Sequence, residues 1–187
     1  MKQPAIIIAL SVLICFHTQA QDKFFTKSGK LTFDATVPAS PEKITGISKT
    51  ATAVLDTKTG NLQFSVLMKG FQFERALMEE HFNENYVESN KFPKAEFRGV
   101  ILNQDAISYS KDGSYMAKVK GKMSMHGETK EIEATGTIKV KSGTITLLSD
   151  LGLPLSDYKI SIPSLVADKV AAKAQVRVDC QLEPLKM

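Results

Sequence analysis

The stretch YMAKVKGKMSM, residues 115–125, alternates with period two. Tyr115, Ala117, Val119, Gly121, Met123 and Met125 form one set; Met116, Lys118, Lys120, Lys122 and Ser124 form the other. A helix would scatter Lys118, Lys120 and Lys122 around its circumference, whereas an extended chain puts all of them on one face. The stretch therefore reads as a β-strand with one face on a core and the other in water, the pattern of antiparallel sheets.

The alternation recurs on both sides of it. EIEATGTIKV (131–140) sets Ile132, Ala134, Gly136, Ile138 and Val140 against Glu131, Glu133, Thr135, Thr137 and Lys139. KAQVRVDCQL (173–182) gives Ala174, Val176, Val178, Cys180 and Leu182 inside. KLTFDATV (30–37) gives Leu31, Phe33, Ala35 and Val37, and NLQFSVLM (61–68) gives Leu62, Phe64, Val66 and Met68. Turn chemistry separates the runs: DTKTGN at 56–61, KDGS at 111–114, HGET at 126–129 and Gly143 in KSGT. About eight strands at this spacing predict a mainly β domain, a sandwich or an up-and-down antiparallel barrel.

Two stretches break the pattern. From Glu74 to Ser89, Met78, Phe82 and Tyr86 recur at helical spacing beside Leu77 and His81, which predicts a short amphipathic helix ended by Asn90 and Pro93. From Leu151 to Asp168, LGLPLSDYKISIPSLVAD is apolar with two prolines, which predicts a packed loop or short helix.

The chain has 187 residues and a formal charge of +4 with both signs mixed, which gives no nucleic-acid footprint. Its first twenty residues, MKQPAIIIALSVLICFHTQA, carry Lys2, an apolar run from Ala5 to Phe16 and a small-x-small end at Ala20. That is the pattern of a secretory signal peptide, leaving residues 21–187 as one domain. A lipoprotein reading would acylate Cys15, but Ile14 is bulky where that signal wants a small residue. No stretch reaches the length of a transmembrane anchor. Only Cys180 lies beyond the leader, so no internal disulfide is expected, and its place on the inner alternation makes it a small buried hydrophobe.

The inner faces are apolar and rich in small residues: Ala35, Ala117, Gly121, Ala134, Gly136 and Ala174. Either they trim the lining of an elongated apolar cavity, or they mark places where strands approach closely with no void. The cavity reading assigns its lining to Phe33, Phe64, Val66, Met78, Phe82, Tyr86, Phe97, Val119, Met123, Ile138, Val176 and Val178. The catalytic candidates are thin. His81 and Glu84 share a helix face but lack further metal ligands, His126 sits in a hairpin turn, and the acids of EEHFNE together with Glu88 read as a wet face. No nucleophile elbow or phosphate loop is present. The chain is read as a non-enzyme with no cofactor and no metal.

The order HF at 81–82, KFPKAEF at 91–97, GKMSMHGETK at 121–130 and SDYKISIP…DKVAAKAQVRVDCQL at the end resembles the YceI-like family. The matching positions include His81, Phe82, Phe92, Pro93, Phe97, Gly121, Met123, His126, Gly127 and Lys130. The resemblance implies a lipocalin-like antiparallel β-barrel, exported to the bacterial periplasm or secreted, that holds a long isoprenoid or other lipid. It also allows a homodimer. The helix is then read as a lid over one end of the barrel. The competing function is a partner-binding or structural module whose barrel is simply packed.

Overall fold

The structure, a computed structural model, describes residues 22–185; the secretory segment expected over 1–20, with Cys15, lies outside them. Among the described residues, nine strands follow in chain order: β1 Lys23–Thr36, β2 Thr45–Asp56, β3 Asn61–Leu67, β4 Gln72–Phe73, β5 Lys94–Ile101, β6 Gly113–Met125, β7 Glu128–Lys141, β8 Thr144–Pro154 and β9 Val170–Pro184. All pair antiparallel, in the order β1-β9-β8-β7-β6-β5-β3-β2, and β1 pairs with β2 to close the ring. The result is an eight-stranded barrel, with the two-residue β4 added beside Gly46 and Ile47 of β2. The expected sandwich alternative is thereby excluded.

The predicted alternation sets the register. Across β6 and β7, Ala117 faces Gly136, Val119 faces Ala134 and Gly121 faces Ile132, so the inner sets coincide. Outside, Lys120 pairs with Glu131 at 2.9 Å and Glu133 at 3.4 Å, an exposed network of small energetic weight. The β6–β7 and β7–β8 hairpins turn on two residues each, His126-Gly127 (φ 52° and 78°) and Ser142-Gly143 (φ 49° and 79°). Two successive left-handed residues match the twist of the strands they join.

One stretch of wall is incomplete. β7 and β8 pair only from Gly136–Ser149 to Lys141–Thr144. Above that, β7 stays with β6 and β8 stays with β9, so β7 and β8 splay apart. Ser149 Oγ donates to the Thr135 carbonyl at 2.8 Å where the ladder ends.

Two boundaries differ from the sequence reading. The helix α1 spans only Ala76–His81, followed by a π-helical turn over Phe82–Tyr86, in place of one helix from Glu74 to Ser89. At the front, Arg75 is extended. At the back, the Asn83 side-chain amide donates to the Glu79 carbonyl at 2.9 Å and Val87 N–H reaches Phe82 O at 2.9 Å, widening the turn. The second boundary is at Leu151–Pro154, which belongs to β8; the loop begins only at the 3₁₀ turn Leu155–Tyr158. Leu151 and Leu153 continue the inward period of Ile145 and Leu147, and the proline sits on the strand's last residue, where a missing donor matters least.

Cys180 is fully buried, packed where β1 bulges at Gly29. A Cβ on Gly29 would lie 2.5 Å from the Cys180 sulfur and 3.0 Å from the Ala51 carbonyl, so only glycine fits that approach. Burial, with the Asp179 charge beside it, pushes the thiol from 9.0 up to about 11. At pH 8 its thiolate fraction is about a hundredfold below that of an unperturbed cysteine. Iodoacetamide is therefore expected to leave the native protein unlabelled at that pH and to label it promptly in denaturant. Comparable rates in the two states would place the sulfur at the surface.

Candidate functional site

The barrel interior is not filled. Phe33, Phe64, Phe97, Val119, Met123, Val176 and Val178 point inward yet stay half-buried. In an interior packed to ordinary density such side chains are wholly covered. The uncovered area belongs to two cavities. The upper, of about 370 Å³, lies beneath α1; the lower, of about 130 Å³, runs along β5 to β9. Leu31, Val66, Ala95, Met123, Leu153 and Val176 line both, forming a waist between them.

All twelve residues assigned to the lining by sequence border one cavity or the other. Phe33, Val66, Met78, Phe82, Tyr86, Met123 and Val176 surround the upper one. Phe64, Val66, Phe97, Val119, Met123, Ile138, Val176 and Val178 surround the lower one. The small residues divide. Ala35, Ala117 and Ala134 border cavity. Gly136 borders the lower cavity too, yet a Cβ there would meet the Leu148 carbonyl at 2.6 Å, so close approach requires glycine. At Gly121, likewise, a Cβ would meet the Arg98 carbonyl at 2.4 Å and the Phe97 ring at 2.7 Å, so close approach explains it. Ala174 is fully buried and borders neither cavity.

Phe82 holds the roof. It is 7% exposed, with its ring 5.4 Å from Phe33, 5.7 Å from Phe71 and 5.0 Å from Phe73, all tilted. Tilted aromatic pairs at these separations add to area burial. Phe71 and Phe73 were not assigned to the lining by sequence; they follow the last clear alternation, across the 3₁₀ turn Met68–Gly70, and no period marks them. Leu155, Ile160, Val166 and Val170 complete the same wall from the proline-containing loop and the start of β9.

His126 is a structural pin. Its Nδ1 lies 2.8 Å from the Tyr158 carbonyl oxygen, which can only accept, so Nδ1 donates there. Its Nε2 lies 2.8 Å from Glu88 Oε2, and Phe92 packs edge-on against the ring. Three non-glycine residues in left-handed conformation meet here, Glu88 (φ 45°), His126 (φ 52°) and Lys159 (φ 55°). Lys159 also pairs with the half-buried Glu128 at 2.6 Å and holds its carboxyl below the usual range. The pin joins the turn after the lid, the β6–β7 hairpin and the loop after β8, which fixes where the roof leaves the barrel. Of the other acids near α1, Glu79 accepts the Phe73 N–H at 3.1 Å.

Polar groups collect at the upper mouth. Glu42, Arg75, His81 and Lys169 border it, with Arg75 ion-paired to Glu42. The lower cavity meets only Glu96, Thr135, Thr137 and Ser149 among polar residues. Among the described residues, no three His, Cys, Asp or Glu side chains come together as a metal site.

The sequence matches the YceI-like domain over residues 14–183. The chain belongs to the YceI-like family. Solved structures similar to this YceI-like chain include a polyisoprenoid binding domain from Saccharophagus degradans implicated in plant cell wall breakdown. It is 14% identical, covers 89% of this chain and 100% of its own, and has a TM-score of 0.73. BcnA of Burkholderia cenocepacia is 15% identical over 82% of this chain and 95% of its own, with a TM-score of 0.66. The YceI protein of Campylobacter jejuni is 15% identical over 81% and 90%, with a TM-score of 0.58. At these identities the likeness establishes a shared fold. No curated protein matches this YceI-like sequence.

Proposed function

We propose that this YceI-like protein is an exported, non-catalytic carrier that encloses a long apolar ligand, a polyisoprenoid or similar lipid, inside its barrel. The observation that carries the reading is the pair of apolar cavities that adjoin at one waist beneath a single aromatic roof. Apolar burial yields about 25 cal/mol per Å², so a hydrocarbon chain binds such a wall with few polar contacts. Two further points support it. The structurally similar Saccharophagus degradans domain is described as polyisoprenoid binding. The polar groups that border the upper cavity stand at its mouth, where a reacting centre deep in the barrel would be out of their reach. Export to the periplasm or beyond rests on the leader pattern of residues 1–20. No helix among the described residues is long and apolar enough to cross a membrane.

Native mass spectrometry of the purified protein, followed by organic extraction, tests the reading. The expected result is a stoichiometric adduct that extracts as a long-chain isoprenoid or related lipid. A bare mass with no uptake of added polyisoprenoid would move the assignment to a partner-binding barrel. The same spectrum reads whether the protein is a dimer.

A further inference from the structure

We propose that the rim of the upper cavity is a membrane-docking face, which sets Leu77 and Leu165 into the interfacial region of a zwitterionic phospholipid bilayer. The mouth is bordered by three chain segments, 41–45, 74–77 and 165–170, through Glu42, Arg75, Leu77, Val166 and Lys169. Two of these lips carry a leucine turned to solvent. Leu165 is 89% exposed, although its neighbour Val166 borders the cavity; Leu77 is 53% exposed on the first turn of α1. Single exposed leucines are ordinary, but a pair flanking the entrance to an apolar cavity prolongs that cavity's surface to the outside.

The charges on the lips select the partner. Each segment holds one acid followed directly by one base: Glu42-Lys43, Glu74-Arg75 and Asp168-Lys169. The three pairs cancel, and Glu79 and Glu80, which follow on α1, add only negative charge, so nothing here draws the rim to an anionic surface. Arg75 and Glu42 already neutralise each other across the rim; the remaining Lys43, Glu74, Asp168 and Lys169 are two bases and two acids, which a zwitterionic headgroup meets with its phosphate and its ammonium. Binding then comes from apolar insertion and depends little on salt. The purpose of such docking rests on the carrier reading, because a water-insoluble cargo must be collected from or delivered to a bilayer.

Flotation with phosphatidylcholine–phosphatidylethanolamine vesicles free of isoprenoid tests it, since docking is read without cargo. The protein is expected to float with the vesicles equally at low and high salt. The Leu77→Ser/Leu165→Ser double variant is expected to float at least about tenfold less, since two insertions of partly buried leucine are lost, with its thermal unfolding unchanged. Three results would overturn the proposal: wild-type protein that stays in solution, flotation that requires anionic lipid at low salt, or a double variant that floats like wild type. Sedimentation covers the rival occupant, because a dimer that becomes monomeric in the double variant would assign the leucines to a second copy. Failure of the carrier reading would appear separately, as an absent lipid adduct in the native mass spectrum.

Discussion

Phe82→Ala is expected to lower the thermal unfolding midpoint by about 10 °C. Removing a buried phenylalanine costs about 3–5 kcal/mol, and a domain of this size loses roughly 2–4 °C per kcal/mol. The upper part of that range applies because the Phe82 ring contacts Phe33, Phe71 and Phe73 at once, so three aromatic pairs go together. The site also cannot collapse easily: Phe33 is fixed in β1 and Phe73 in β4, while the π-helical turn is held behind by the Glu88–His126 contact. Phe82→Leu keeps most of the apolar volume and is expected to recover more than half of the loss. If scanning calorimetry finds the alanine variant within about 2 °C of wild type, the roof is not part of the cooperative core. It would then be a lid resting on a barrel that is complete without it.

The barrel was legible in the sequence because a period of two is a strong signal when it recurs in five runs with turns between them. Strands β6, β7 and β9 carry their inner sets where the alternation places them, down to Ile132 opposite Gly121. What escaped has local physical causes. Asn83 is a good hydrogen-bond competitor inside a helical pattern, and its bond to Glu79 O turns the second half of the expected helix into a π-turn. Pro154 reads as a loop residue, yet it ends a strand whose other residues keep the inward period. The small inner residues looked alike in sequence. Only the neighbours separate Gly121, which another strand's backbone crowds, from Ala134, which borders a void. The mouth had no sequence signature at all, because Glu42, Arg75 and Lys169 come from three segments without periodicity that the closure of the barrel brings to one end.

Val176→Phe separates ligand capacity from stability, and its effect on binding is expected to be the largest of any single substitution. Val176 sits between Phe33 of β1 and Leu151 of β8 and lines both cavities at the waist. A longer side chain in a filled core costs about 1–3 kcal/mol through strain. Here it enters empty space, so the unfolding midpoint is expected to stay level or rise slightly, as cavity-filling changes do. The ligand meets the opposite consequence, because a ring at the waist closes the passage to the lower cavity. Each excluded methylene forfeits about 0.8 kcal/mol. Excluding one five-carbon isoprene unit therefore removes up to about 4 kcal/mol, near a thousandfold in affinity. Val178→Phe is the control: Val178 lines the lower cavity alone, so its ring shortens that compartment without blocking the waist and is expected to have a smaller effect. Titration with geranylgeraniol and with a longer polyprenol distinguishes the cases, since the longer chain depends more on the lower compartment and should lose more. Equal affinities of wild type and Val176→Phe for both alcohols would mean that the chain never passes the waist and that the roofed upper cavity alone holds the ligand.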